Sequence, residues 1–246
     1  MALVPVPGGH ASLATTMEAM KIDFLEFARG PALWVSLAIL LTGSAWRTWR
    51  IFRLKGKPDF SEPRSTRLAA GAIGTVLSRM IPKREFRDST TLATSNAYIY
   101  HIGLAIVVFG YPPHIIFIER LTGIAWPPLP AALVYFAVAA TFVSLLIALM
   151  YRLTDPVLRL ISSFDDYFSW FIVFLPLATG MVALNHPFAS DIAPAAPLDP
   201  VPVAVHLLSV ELLLIWLPFG KLAHAFLVFI SRGMTGAAFA RRGART

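Results

Sequence analysis

Five apolar segments in this chain of 246 residues approach or exceed the length of a bilayer crossing, and nothing else in the sequence restricts the fold so strongly. Hydrocarbon offers no partner to a peptide N–H or C=O. A crossing segment must therefore be a helix bonded within itself or a strand of a closed barrel. The segments cover about 24–46, 92–111, 131–151, 164–184 and 203–230, against a need of about 17–25 residues for a helix. The first reaches that length only by including Phe24–Phe27, and the last is long enough to project beyond the bilayer. No alternation of apolar and polar residues runs far enough for a barrel. Charged residues make up 14% of the chain, where a soluble domain has about 25%. The expected fold is an all-α integral membrane protein: one domain over 1–246, built as a five-transmembrane-helix bundle.

Lys and Arg set the orientation. Eleven lie in the loop 47–91, from Arg47 to Arg87; Arg152 and Arg159 lie between the third and fourth segments, and Arg232, Arg241, Arg242 and Arg245 follow the last. Lys21, Arg29 and Arg120 fall on the other side. Positive charge collects on the cytoplasmic side, so the N-terminus is expected outside and the C-terminus in the cytoplasm. That accounts for the net charge of +7, and no nucleic-acid partner is expected. Within the basic loop, Leu68, Ile73, Leu77 and Ile81 recur at near-helical spacing between arginines. They predict an amphipathic helix on the inner surface, anchoring the loop or docking a partner. Residues 1–23 mix Pro, Gly and acids and lack the basic start and compact apolar core of a signal peptide, so no cleaved signal is expected. With no cysteine, the chain forms no disulfide, holds no iron–sulfur cluster through thiolates and attaches no c-type haem. Any haem would be held by side chains such as His or Met.

Four histidines then become informative. His206 and His224 are 18 residues apart on the fifth segment, five whole turns and about 27 Å of rise if the helix is unbroken. His101 and His114 lie on the second segment, which runs the opposite way. Topology places His101 opposite His224 in the inner half, and His114 opposite His206 at the outer end. Each pair is suited to clamp one haem iron, and burying unpaired imidazoles in hydrocarbon is costly. The spacing of His101 and His114 is not a whole number of turns, but Pro112 and Pro113 intervene and break the helical phase, letting His114 swing onto the helix face. The bland alternative for any one of them is a packing or hydrogen-bonding histidine. His10 is expected in a disordered tail, and His186 in a loop, with the outer-ligand role as its alternative.

Other polar residues carry weaker expectations. Glu211 is the acid inside the fifth segment, and a carboxylate there is a functional candidate, as a proton acceptor or for a bond to a haem edge; a helix-contact hydrogen bond is the alternative. Lys221 precedes His224 by three residues and is a candidate to neutralise a haem propionate, or simply snorkels. Glu119 and Arg120 are candidates to shape an outer pocket, or are interfacial charges. Asp165 and Asp166 are expected to cap the fourth helix, and Ser95 or Asn96 to start the second.

The stretches Leu92–Gly103 (LATSNAYIYHIG) and Leu217–His224 (LPFGKLAH), and the His206–His224 interval, resemble the gamma, cytochrome b subunit of respiratory nitrate reductase; Leu41–Arg47 (LTGSAWR) is a weaker echo. The resemblance covers most of the chain. It implies five spans, an external N-terminus and two b haems with bis-histidine ligation. His101 and His224 would hold the inner haem and His206 the outer. The family pattern puts the remaining outer ligand at Tyr111, where this chain instead offers His114 in a Pro-Pro-His-Ile sequence. That departure looks more like the membrane cytochromes associated with dissimilatory sulfite reductase and heterodisulfide reductase-like complexes.

What the resemblance implies is a di-haem subunit in the bacterial cytoplasmic (inner) membrane. It would take electrons from quinol near the outer haem, with Glu211, Glu119 and Arg120 as candidates for the quinol site and its proton path, and pass them through the inner haem to a cytoplasmic iron–sulfur partner, heterodisulfide reductase-like or nitrate reductase beta-like. The terminal substrate site would lie off this chain. A haem-free anchor for a cytoplasmic enzyme is the competing reading. A transporter would show internal repeats or broken central helices, and no such repeat is evident.

Overall fold

The computed structural model describes residues 9–54, 60–82, 85, 87–184 and 199–244, with the side chains of 9–12, 87 and 88 left out. Among the described residues there is helix and no strand. In order, the helices are α1 (Gly9–Phe27), a five-residue π turn (Ala28–Ala32), α2 (Leu33–Arg53), α3 (Leu68–Ser78), α4 (Arg87–Gly110) and α5 (Pro112–Thr122). They continue with α6 (Ala131–Thr154), α7 (Pro156–Ile161), α8 (Phe164–Ala183), α9 (Pro200–Trp216) and α10 (His224–Arg241). Five stretches are long and apolar enough to cross a membrane: Leu13–Arg53, Ser89–Gly110, Ala131–Thr154, Phe164–Ala183 and Lys221–Arg241. Pro200–Trp216 is a shorter apolar helix.

The packing is that of helices in lipid rather than in water. On α6 the buried side chains are Val134, Ala137, Thr141, Ser144 and Leu145, one face of the helix, while Phe136, Val143, Ile147 and Met150 are exposed. Small and hydroxylated residues pack inward, and large apolar ones face out. Between membrane helices, close backbone approach and interhelical hydrogen bonds replace the hydrophobic drive.

Several expectations are corrected. The fifth segment, read as one span over 203–230, is two helices: it breaks after Trp216 and resumes through a 3-10 turn, Lys221–Ala223, into α10. Pro218 supplies no N–H and its ring crowds the preceding turn, and Gly220 is extended. His206 and His224 therefore do not share the face of one helix. The first segment extends from Leu13 to Arg53, with a π turn containing Pro31 inside it. Ser95 and Asn96 do not start the second helix, which begins at Arg87. Asn96 instead donates to the Ser144 carbonyl at 3.0 Å, and Ser144 donates back to its carbonyl at 2.8 Å. His10 lies within α1 rather than in a tail. His186 lies outside the described residues.

The chain divides into two compact units, Met1–Gly43 with Phe171–Pro218, and Ser44–Trp170 with Phe219–Thr246. In the first, α9 packs against α1 and the π turn, and Ala28, Ile172 and Ala204 are fully buried. In the second, α4 packs on α6 where Gly103 meets Thr141; a Cβ on Gly103 would lie 2.3 Å from the threonine Oγ1. There too α3 packs on α10 through Gly71, Thr75, Gly236 and Ala240. The apolar side chains expected to define the face of α3, Leu68, Ile73, Leu77 and Ile81, are exposed.

Candidate functional site

The second unit brings His101 and His224 together. His101 stands midway along α4, and its Nδ1 lies 2.7 Å from the Ala97 carbonyl one turn back. His224 is the first residue of α10, and its Nδ1 lies 2.9 Å from the Lys221 carbonyl. A carbonyl only accepts, so in each ring Nδ1 carries the hydrogen and Nε2 keeps the lone pair. Metal-binding imidazoles commonly tie their second nitrogen to a carbonyl in this way. The two ring centres are 6.2 Å apart, with planes at 79°. Imidazole–metal bonds are about 2.0–2.1 Å at zinc, and a ring nitrogen lies roughly 1.1 Å from its ring centre. Two imidazoles end-on to opposite faces of one metal would therefore have centres about 6 Å apart. The separation of the two ring centres matches that distance, with the rings set edge to face. Both rings are exposed, so neither is a packed core histidine.

The local sequence explains how His224 is held. Arg47 donates to the carbonyls of Phe219 and Gly220 at 3.0 and 3.3 Å, groups left over by the helix break. The Lys221 N–H donates to the Asp165 carboxylate, 3.1 Å from Oδ2. The Lys221 ammonium, a propionate candidate from sequence, is ion-paired with buried Asp166, which also pairs with Arg152 at 2.9 Å. Asp166 further accepts from the Ser163 N–H at 2.9 Å, capping α8 as a capping box does.

His114 sits just past the break expected at Pro112–Pro113. Tyr111 is extended there, and α5 starts anew. Two prolines withdraw the helical donors that the last carbonyls of α4 would receive. Side chains and the next loop take their place: His114 Nδ1 at 2.9 Å from Val107 O, Trp126 Nε1 at 2.6 Å from Phe109 O, and Leu129 N at 3.0 Å from Gly110 O. His114 is thus turned back along the helix it follows, beside the Tyr111 ring (centres 5.2 Å apart). Burial favours the neutral imidazole and holds it below the ordinary value, opposed by the Val107 carbonyl, which favours the protonated form. Trp126 had no sequence signal beyond its place in a Pro-rich loop. Glu119 and Arg120, in α5, are exposed.

In the first unit, His206 on α9 lies against α8 at Gly180; a Cβ there would come within 3.1 Å of the imidazole Cε1. Thr179 Oγ1 is 3.3 Å from Nδ1 and donates to the Leu175 carbonyl at 2.8 Å, so its oxygen accepts from the ring. Ser209 donates to the His206 carbonyl at 2.6 Å. Glu211 is 3% exposed, and its Oε1 has no hydrogen-bond partner among the described residues. Buried polar atoms are rarely left so. No group of three or more His, Cys, Asp or Glu that could hold a metal ion occurs among the described residues.

Together these features define an all-helical protein with five stretches able to cross a membrane, carrying an apposed imidazole pair. No protein-family profile matches the chain, and no solved structure does. The chain is similar to a curated protein of Nitratidesulfovibrio vulgaris Hildenborough, described only as "Protein", at 26% identity over 230 residues, 89% of this chain and 96% of that one.

Proposed function

We propose that the chain is a di-haem cytochrome b subunit of a membrane oxidoreductase, of the kind its sequence resembles, oxidising quinol on behalf of a cytoplasmic iron–sulfur partner. The apposition of His101 and His224, 6.2 Å apart with each Nδ1 engaged by a backbone carbonyl, is the observation that carries it. Bound haem would supply one-electron carriage between the quinone pool and that partner. His101 and His224 hold the inner haem. His114 and His206 are assigned to the outer haem from their expected depth in the sequence, each with its Nδ1 bonded as a ligand's would be.

The orientation follows the basic residues, N-terminus outside and C-terminus in the cytoplasm, in a bacterial inner membrane. The fifth crossing is assigned to the segment over 203–230, as read from its apolar length. Glu211, buried without a partner for Oε1, is the candidate acceptor for a quinol hydroxyl proton, with Glu119 and Arg120 as exposed candidates at the outer pocket.

A reduced-minus-oxidised optical spectrum of the purified protein, with haem quantification, tests the reading. Two b haems per chain are expected. A preparation that is folded and free of any b-type band overturns it and leaves a membrane anchor.

A further inference from the structure

The peptide joining Gly220 to Lys221 is held at both ends by opposite charges. The Arg47 guanidinium donates to its carbonyl at 3.3 Å, and the Asp165 carboxylate accepts from its N–H, 3.1 Å to Oδ2 and 3.4 Å to Oδ1. Asp165 is itself steadied by buried Ser169, which donates to Oδ1 at 2.9 Å. One residue further on, the Lys221 carbonyl receives the His224 Nδ1–H at 2.9 Å. The Lys221 side chain is tied to Asp166, which also faces Arg152. The direction of the Lys221 carbonyl is therefore set from both sides of its Cα, in addition to the His224 backbone N–H that it accepts in the 3-10 turn.

We propose that Asp165, with Arg47 and Asp166, forms a positioning clamp that orients the His224 imidazole toward iron. The proposal rests on the reading that His224 ligates haem. Its consequence is geometric: the clamp fixes the plane of the His224 ring, which stands at 79° to that of His101. Asp166 and Arg152 hold the turn in place, whereas Asp165 and Arg47 set its peptide plane. A carboxylate this close to the turn also favours the ferric state, so its loss raises the midpoint of the haem that His224 holds.

The experiment uses the purified holoprotein in detergent. Low-temperature electron paramagnetic resonance resolves ferric low-spin haems by the angle between their imidazole planes, and an optical redox titration gives their midpoints. His224→Ala identifies which signal is the inner haem. In Asp165→Ala, the inner signal should move or broaden and its midpoint rise, with the outer signal unchanged. Asp165→Asn, which keeps an acceptor for the Lys221 N–H, should restore the inner line position. An inner signal in Asp165→Ala superimposable on wild type, or equal changes in both haems, overturns the clamp. Where Asp165→Ala fails to accumulate, Arg47→Gln decides: an inner-only change supports the clamp, and no change overturns it. A wild-type protein without b haem defeats the functional reading before any variant is made. Wild-type haems with an indifferent Asp165→Ala defeat the clamp alone.

Discussion

The packing of α3 on α10 can be tested by a single covalent bond, because the chain has no cysteine of its own. A Cβ on Gly233 would lie 4.0 Å from the Cβ of Ala72, inside the roughly 3.5–4.5 Å range of disulfides. Ala72→Cys with Gly233→Cys should therefore oxidise spontaneously or under mild oxidant, while either single variant should not. The bond closes a loop of roughly 160 residues, for which chain entropy sets an upper bound of about 5 kcal/mol. Membrane helices that persist after denaturation reduce that gain, so the oxidised form should exceed the reduced one by a few degrees in Tm. The assay is proteolysis in the loop between α3 and α4, followed by gel electrophoresis with and without reductant. The two fragments should separate only when reduced. Gly236→Ala provides the matching disruption: its Cβ would lie 2.3 Å from the Gly71 carbonyl oxygen and 2.4 Å from Thr75 Oγ1, so the helices must part, at about 1–3 kcal/mol, and cross-linking should fall at least about fivefold. Absence of the cross-link in folded protein, or its appearance only after denaturation, refutes the packing of α3 on α10.

Three further outcomes are expected. His224→Ala should lose the inner haem and His114→Ala only the outer, read by haem quantification and optical spectra; a His114→Ala protein with both spectra intact removes His114 from the ligand set. Trp126→Phe strips the Phe109 carbonyl of its donor at 2.6 Å and should cost about 0.5–1.5 kcal/mol, measured by thermal unfolding in detergent; an unchanged Tm would mean another donor steps in. Glu211→Gln should leave both haem spectra as they are and slow quinol oxidation about tenfold or more, the low end of what a proton-transfer group contributes; full activity would assign Glu211 to helix packing.

Much of the architecture was legible in the sequence because apolar length is a robust signal. The second, third and fourth segments were placed to within a few residues at most ends, although the second helix begins five residues earlier than read. The break at Pro112–Pro113 was readable too, since two successive prolines leave a helix no continuation. Pro218 was passed over because its neighbours are uniformly apolar, and hydropathy does not register a missing N–H. The error mattered: it removed the shared face on which the His206–His224 spacing was first argued. Asn96 was misread for a related reason. A polar residue near the start of an apolar run resembles a cap, yet its partner, Ser144, lies 48 positions away, beyond the reach of any local pattern. The acids at 165 and 166 were recognised as a helix start, but their hold on Lys221 spans 56 and 55 residues and needed the fold to be seen.

Both His114 and His224 follow proline interruptions, and this frees each ring from the winding of the helix before it. A ligand in mid-helix turns by about 100° when one residue is inserted upstream. Here an insertion in α9 would turn His206 and leave the orientation of His224 to Arg47 and Asp165, much as a universal joint lets one shaft rotate while the next keeps its bearing.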